Sequence, residues 1–237
     1  MELRQYTLHQ DMRDTLIELF DKEFVESQEA VGMKIVGQFR DINDPSRFVW
    51  LRGFRDMPSR ATALKSFYGG PVWKAHRKAA NATMIDSDNV LLLRPARPTS
   101  GFSLENSQRP ALGSSEIPKG LIVATIYYFT APSEVGFADF FERSMKPMLR
   151  DSGASILACF VTENSANTFP ALPVREDERV FAWFSRFRDE ATYEDHASAL
   201  ARSGSWRDVG SKELTRRLKR PPEVLKLSPT ARSQLRG

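Results

Sequence analysis

The chain has 237 residues, 41% of them hydrophobic, with 34 Lys and Arg against 30 Asp and Glu, three His and a single Cys. That length suits one large domain or two modules of about 120 residues, and the composition is that of an ordinary folded protein, neither disordered nor collagenous. One cysteine excludes an intramolecular disulfide, a multi-cysteine zinc site and a cysteine-ligated iron–sulfur cluster.

Leu3 to Leu8 reads as a short first strand, and Met12 to Ala30 follows with Leu16, Ile17, Phe20, Phe24 and Val25 at helical spacing. Gly32 is placed to end that helix as a left-handed cap. Met33 to Arg40 predicts a second strand, Asn43-Asp44-Pro45-Ser46 a turn, and Phe48 to Phe54 a third strand. Met57 to Asn81 is helical but broken at Gly69-Gly70-Pro71, and Val90 to Arg94 closes the unit. Pro95 to Pro118, rich in Pro, Ser and Gly, reads as a linker or long crossover. Beyond it come strands at Leu121 to Phe129, Ser155 to Thr162 and Val180 to Phe187, with a helix at about Val135 to Asp151.

The second half repeats the first. Residues 48–56 and 181–189 share five of nine positions at an offset of 133, which also places Trp73 on Trp206. Upstream, an offset of 121 aligns 32–39 with 153–160 and Tyr6 with Tyr127. The second copy therefore carries a 12-residue insertion within Thr162 to Glu178. Each half has a βαββαβ order, with the final strand clear only in the first, and that order predicts an α+β fold of two tandem ferredoxin-like modules, 1–96 and 119–226. Each such sheet leaves one face open, and the two modules can cover each other.

Charge is concentrated at the end. Residues 212–237 hold eight basic and two acidic side chains, a net +6 that leaves −2 for the rest. No aromatic accompanies them, so the segment reads as a solvated last helix followed by a loose basic tail, 227–237, rather than a nucleic-acid surface. Met1-Glu-Leu-Arg-Gln lacks the pattern of a secretory signal, and the longest apolar run, 120–129, is about half the ~20 residues a membrane helix needs. A soluble cytoplasmic protein, with no nucleic-acid or membrane partner, is expected.

Leu3-Arg-Gln-Tyr-Thr-Leu, Gly32-Met-Lys-Ile-Val-Gly-Gln-Phe, Phe48-Val-Trp-Leu-Arg-Gly-Phe and Phe67-Tyr-Gly-Gly-Pro-Val-Trp-Lys-Ala-His together resemble the NIPSNAP family. The resemblance is close over residues 2–96 and looser over 120–220. It implies the dimeric α+β barrel, here formed within one chain. Relatives in that wider group include cofactor-free quinone-forming monooxygenases, small-molecule isomerases and heme-dependent enzymes, while NIPSNAP proteins have no settled reaction, so fold is implied more strongly than chemistry.

Strand alternation puts Phe48, Trp50, Arg52 and Phe54 on one face, opposite Val49, Leu51 and Gly53. Arg52 can meet an anionic or carbonyl group of a ligand, or pair with Glu or Asp and stack on a ring. Trp50 and Trp73 are core anchors that can also line a cavity. His76, three residues after Trp73, is placed to share a pocket with it and to accept a proton as a neutral imidazole. Tyr6 and Gln38 are polar groups on strands. Cys159 sits in an apolar strand and reads as a buried, inert thiol. The histidine spacing supports no metal site, and a heme held by His76 is not favoured by any spacing. Two readings follow: a cofactor-free oxygenase or isomerase acting on a small aromatic or polyketide-like molecule, with His76 catalytic and Tyr6, Gln38, Trp50, Arg52 and Trp73 binding; or a non-catalytic small-molecule-binding or adaptor protein. Edge strands also suggest a possible homo-oligomer.

Overall fold

In the computed structural model the first module comprises β1 (Glu2–Leu8), α1 (residues 13–29), β2 (Lys34–Asp41), β3 (Arg47–Gly53), α2 (Met57–Gly69), α3 (Pro71–Asn81) and β4 (Met84–Pro95). The second repeats it with β5 (Leu121–Tyr128), α4 (residues 137–151), β6 (Ser155–Thr162), β7 (Val180–Phe187), α5 (Glu190–Arg202), α6 (residues 206–217) and β8 (Glu223–Pro229). The structure describes residues 1–105, 107–131 and 134–236; Asn106 of the expected linker and Gly237 of the tail lie outside it, as do Pro132 and Ser133.

The eight strands close into one antiparallel barrel in the order β1-β3-β2-β8-β5-β7-β6-β4, with β4 returning to β1. Within each module the four strands keep the ferredoxin-like order, and the two modules join at β2–β8 and β4–β6. The repeat holds to the residue. Leu3 faces Leu51 as Ala124 faces Phe184. Asp56 and Asp189, 133 apart, both cap helices by accepting from the backbone N–H three residues on. Gly32 and Gly153 both turn the chain at positive φ, 91° and 107°. Even the π-helical turns of α1 and α4, Phe20–Phe24 and Phe141–Met145, are 121 residues apart.

Strand alternation divides each sheet. One set, including Val49, Leu51, Ile122, Phe184 and Leu225, fills the barrel. The other set packs under the helices: Tyr6, Phe48 and Trp50 in the first module, Tyr127, Phe181 and Trp183 in the second. Each fully buried apolar side chain contributes about 1.5–3 kcal/mol to the folded state. The open faces of two ferredoxin-like sheets have become the inside of the barrel.

Three expectations need correction. β4 begins at Met84, not near Val90, because its first half is polar and exposed and is held by backbone pairing to β1. The C-terminal segment is not a loose tail. β8 pairs with both β2 and β5, Leu225 and Leu227 point into the barrel, and Leu235 joins the same core. Its charges are matched locally, Lys226 by Glu190 at 2.6 Å and Arg232 by Glu26. Finally, closure leaves the barrel sheet without an unpaired edge, which removes the edge-strand ground for a homo-oligomer.

Candidate ligand-binding site

The helix-facing side of the first module contains a fully buried charged cluster. Glu2 and Arg4 on β1, Arg52 on β3 and Arg60 on α2 are at most 1% exposed. Glu2 Oε2 accepts from Arg4 Nη1 at 2.8 Å and Arg52 Nε at 2.7 Å, and its Oε1 accepts from Arg60 Nε at 2.7 Å. Burial alone would push this carboxyl up, but the guanidiniums of Arg52, Arg4 and Arg60 prevail and hold it well below the usual carboxylate range. Three positive charges therefore surround one negative charge, an excess of two buried cations. Nη2 of Arg52, Nη2 of Arg60 and Trp50 Nε1 are buried without a hydrogen-bond partner. Aromatic rings wall the cluster: the Arg52 guanidinium lies 4.9 Å from the Trp50 ring centre and 5.9 Å from that of Tyr68.

The second module serves as an internal control. The two repeat offsets map Glu2 to Val123, Arg4 to Thr125, Arg52 to Ser185 and Arg60 to Tyr193, and the strand registers agree, since Glu2 pairs with Arg52 as Val123 pairs with Ser185. The same sheet, caps and turns thus form with none of the four charges. Burying ions costs several kcal/mol each before their attraction repays it. A fold that does without them in one copy does not require them in the other.

The roof comes from the other module. The segment 163–179, which carries the insertion, crosses to the first module. Arg60 Nη1 donates to Asn167 Oδ1 at 2.9 Å and to Thr168 Oγ1 at 3.2 Å, and the Phe169 ring stacks on Tyr68 at 5.9 Å. Arg175 anchors the returning strand to Asn89 and to the Val90 carbonyl.

The structure brings together Tyr6, Trp50 and Arg52 of the residues singled out from sequence. Tyr6 Oη accepts from Arg4 Nε at 3.0 Å, and burial, opposed by Arg4, pushes its phenol up. Trp73 reaches this group through Tyr68, 4.9 Å between ring centres. His76 does not join it. Its ring is one-third exposed and turns to Glu23 on α1, with Nε2 3.5 Å from the carboxylate. Gln38 is also separate and donates to Asp21 at 2.9 Å. Cys159 is buried in the second module, and its thiol is pushed up to about 12 by desolvation. Glu2, Arg4 and Arg60 are members of the cluster that sequence reasoning misses. Their one signal is three charged residues at positions that strand and helix periodicity assigns to an apolar face. His76 turns its Nε2 toward Glu23, and His196 is engaged with Ser152. Among the described residues no cluster of three or more His, Cys, Asp or Glu can hold a metal, and no helix is long and apolar enough to cross a membrane.

A closed eight-stranded barrel built from two ferredoxin-like halves defines the dimeric α+β barrel class, here with both halves in one chain. Structures of that class match over almost its full length. A monooxygenase-like protein of Lactobacillus acidophilus covers 96% of this chain and 92% of its own at a TM-score of 0.58 and 11% identity. An anthrone oxidase-like protein covers 100% and 94% at 0.58 and 11%. A chlorite dismutase of Candidatus Nitrospira defluvii covers 98% and 92% at 0.51 and 13%. At such identities the likeness is one of fold. No curated protein matches in sequence. Residues 1–98, the segment that carries the charged cluster, match the NIPSNAP family model.

Proposed function

We propose that the first module binds a small acidic aromatic molecule, taken up as its anion between the sheet and α2. The observation that carries this reading is the excess of two buried guanidinium charges, which the sister module lacks. A carboxylate, phenolate or enolate would meet the free N–H groups of Arg52 and Arg60, and its ring would lie among Trp50, Tyr68 and Phe169. Arginine suits this task because its planar donors pair with planar anions and its face stacks on rings. The test is a tryptophan-fluorescence titration with 1-hydroxy-2-naphthoate and its uncharged amide. Saturable binding of the acid that Arg52→Gln weakens at least tenfold, in a variant with native circular dichroism, is expected. Equal binding of the amide, or no effect of the substitution, overturns the reading.

A second reading, a cofactor-free oxygenase, is favoured by the names of two structural neighbours, monooxygenase-like and anthrone oxidase-like. In such a reaction an activated ring CH2 and dioxygen become a ring carbonyl and water, and buried cations stabilise the enolate that reacts with oxygen. Because the His76 imidazole turns to Glu23 rather than to the cluster, in this reading the substrate arrives already ionised. Oxygen uptake on addition of anthrone, abolished by Arg52→Gln, separates this reading from simple binding.

A further inference from the structure

A cavity of about 440 Å³ lies away from the charged cluster and shares no lining residue with it. It is built where three segments meet: the π-turn side of α1 with Ile17, Asp21 and Lys22, Arg40 on β2, and a cover formed by residues 112–117 of the inter-module segment and 231–232 of the C-terminal segment. The volume is within the range of small-molecule sites. Its chemistry is two-sided. Leu112 and Ile117, at 62% and 51% exposed, form an apolar rim that nothing in the fold covers. On the wall, Arg40 gives Nε and Nη2 to Asp14, whereas its Nη1 is buried and has no partner.

The remaining charges are accounted for. Arg232 is taken by Glu26 and by the Asp21 carbonyl. Lys22 stands at the mouth, 3.4 Å from Glu23, and Glu18 is exposed to solvent. Asp21 is buried and is held by hydrogen bonds from Gln38 and Thr230, and desolvation raises its pKa. The free buried donor is therefore cationic and the free surface beside it is apolar. The repeat again supplies a contrast: the 121-residue offset puts Val161 at the place of Arg40 and Ala138 at that of Ile17.

We infer that this cavity is a binding site for an amphipathic monocarboxylate, its head on Arg40 Nη1 with Lys22 nearby and its hydrocarbon body against Ile17, Leu112 and Ile117. The charge-assisted hydrogen bond fixes the head, and burial of the body against the rim supplies most of the affinity. The site shares no residue with the charged cluster, so either can fail without the other.

Isothermal titration of the full chain with octanoate, octanol and octylamine tests it. Octanoate is expected to bind at one site, octanol more weakly, and octylamine not at all. Arg40→Gln, at a half-buried position, and Ile117→Ser, at an exposed one, are expected each to weaken octanoate at least fivefold while leaving the unfolding temperature within a few degrees. Lys22→Gln serves the same purpose should Arg40→Gln fail to fold. No octanoate binding, octanol or octylamine binding as tight as octanoate, or a smaller than fivefold effect of the head-group substitution overturns the inference.

Discussion

Arg60 of the first module and Asn167 of the second are joined by a 2.9 Å hydrogen bond, although 107 residues separate them in sequence. Arg60 also holds the buried Glu2 carboxylate at 2.7 Å, so one guanidinium spans from the centre of the charged cluster to its roof. The cluster thus belongs to the pair of modules. The first supplies the charges, and the second, which carries none of them, supplies the insertion that closes over them.

That division makes the roof separable from the site beneath it. Phe169→Ala removes a stacked ring from Tyr68 and about 0.5–1.5 kcal/mol of aromatic pairing beyond the lost burial. The expected outcome is a small drop in unfolding temperature with local loosening. In hydrogen-exchange mass spectrometry, peptides covering α2 should exchange at least tenfold faster while those of β5 and β7 keep their protection. Equal protection of α2 in the variant would mean that the roof does not control the first module.

Glu2 is the counter-ion that makes three buried arginines tolerable, and Glu2→Gln should cost about 3–5 kcal/mol, as breaking a buried ion pair does. The pH dependence follows from the direction of its shift. The folded state holds this carboxyl below its ordinary value of 4.5, so its contribution is complete above that value and is lost as pH falls toward the folded pKa. Denaturant unfolding at several pH values should therefore give a constant difference between wild type and Glu2→Gln from about pH 8 to 5.5, shrinking below about 4.5. A difference that grows on acidification would contradict the assignment.

His76 offers the opposite case. Its ring is one-third exposed and the carboxylate it faces, Glu23, is itself partly solvated. His76→Ala should change stability by no more than about 0.5 kcal/mol, the range of ordinary surface substitutions. It should also leave the naphthoate titration unaltered. A tenfold weaker Kd would return His76 to the site.

The fold was legible because duplication prints the same pattern twice. Phe48-Val-Trp-Leu-Arg-Gly-Phe and Phe181-Ala-Trp-Phe-Ser-Arg-Phe show which face of each third strand meets the helices, and the structure keeps that alternation. Half of the site was legible too, since Trp50 and Arg52 stand out in that strand. The rest depends on contacts no local pattern encodes. Arg60 reaches Glu2 across 58 residues, and Thr168 reaches Arg60 across 108. Charges so far apart in a chain give no sign in sequence that they will neutralise one another. The Trp73–His76 spacing places both rings against Phe24, at 5.6 and 6.3 Å between ring centres, while the imidazole Nε2 turns to Glu23 rather than to the charged cluster.

The C-terminal segment shows how a count of charges can mislead. The eight basic residues from Lys212 onward suggest solvent, yet Glu223-Val-Leu-Lys-Leu carries its leucines two apart and is a half-buried strand. Truncation before Glu223 tests the structural role of that strand directly. It would strip β2 and β5 of their shared neighbour and expose two long sheet edges. It would also remove Leu225, Leu227 and Leu235 from the barrel core. At about 2–5 kcal/mol for each large core side chain lost, the deletion matches or exceeds the ~5–15 kcal/mol that holds a typical domain folded. The truncated chain should lose its near-ultraviolet circular dichroism and its cooperative thermal transition. A truncated protein that melts cooperatively near the wild-type temperature would show that the barrel closes without its last strand.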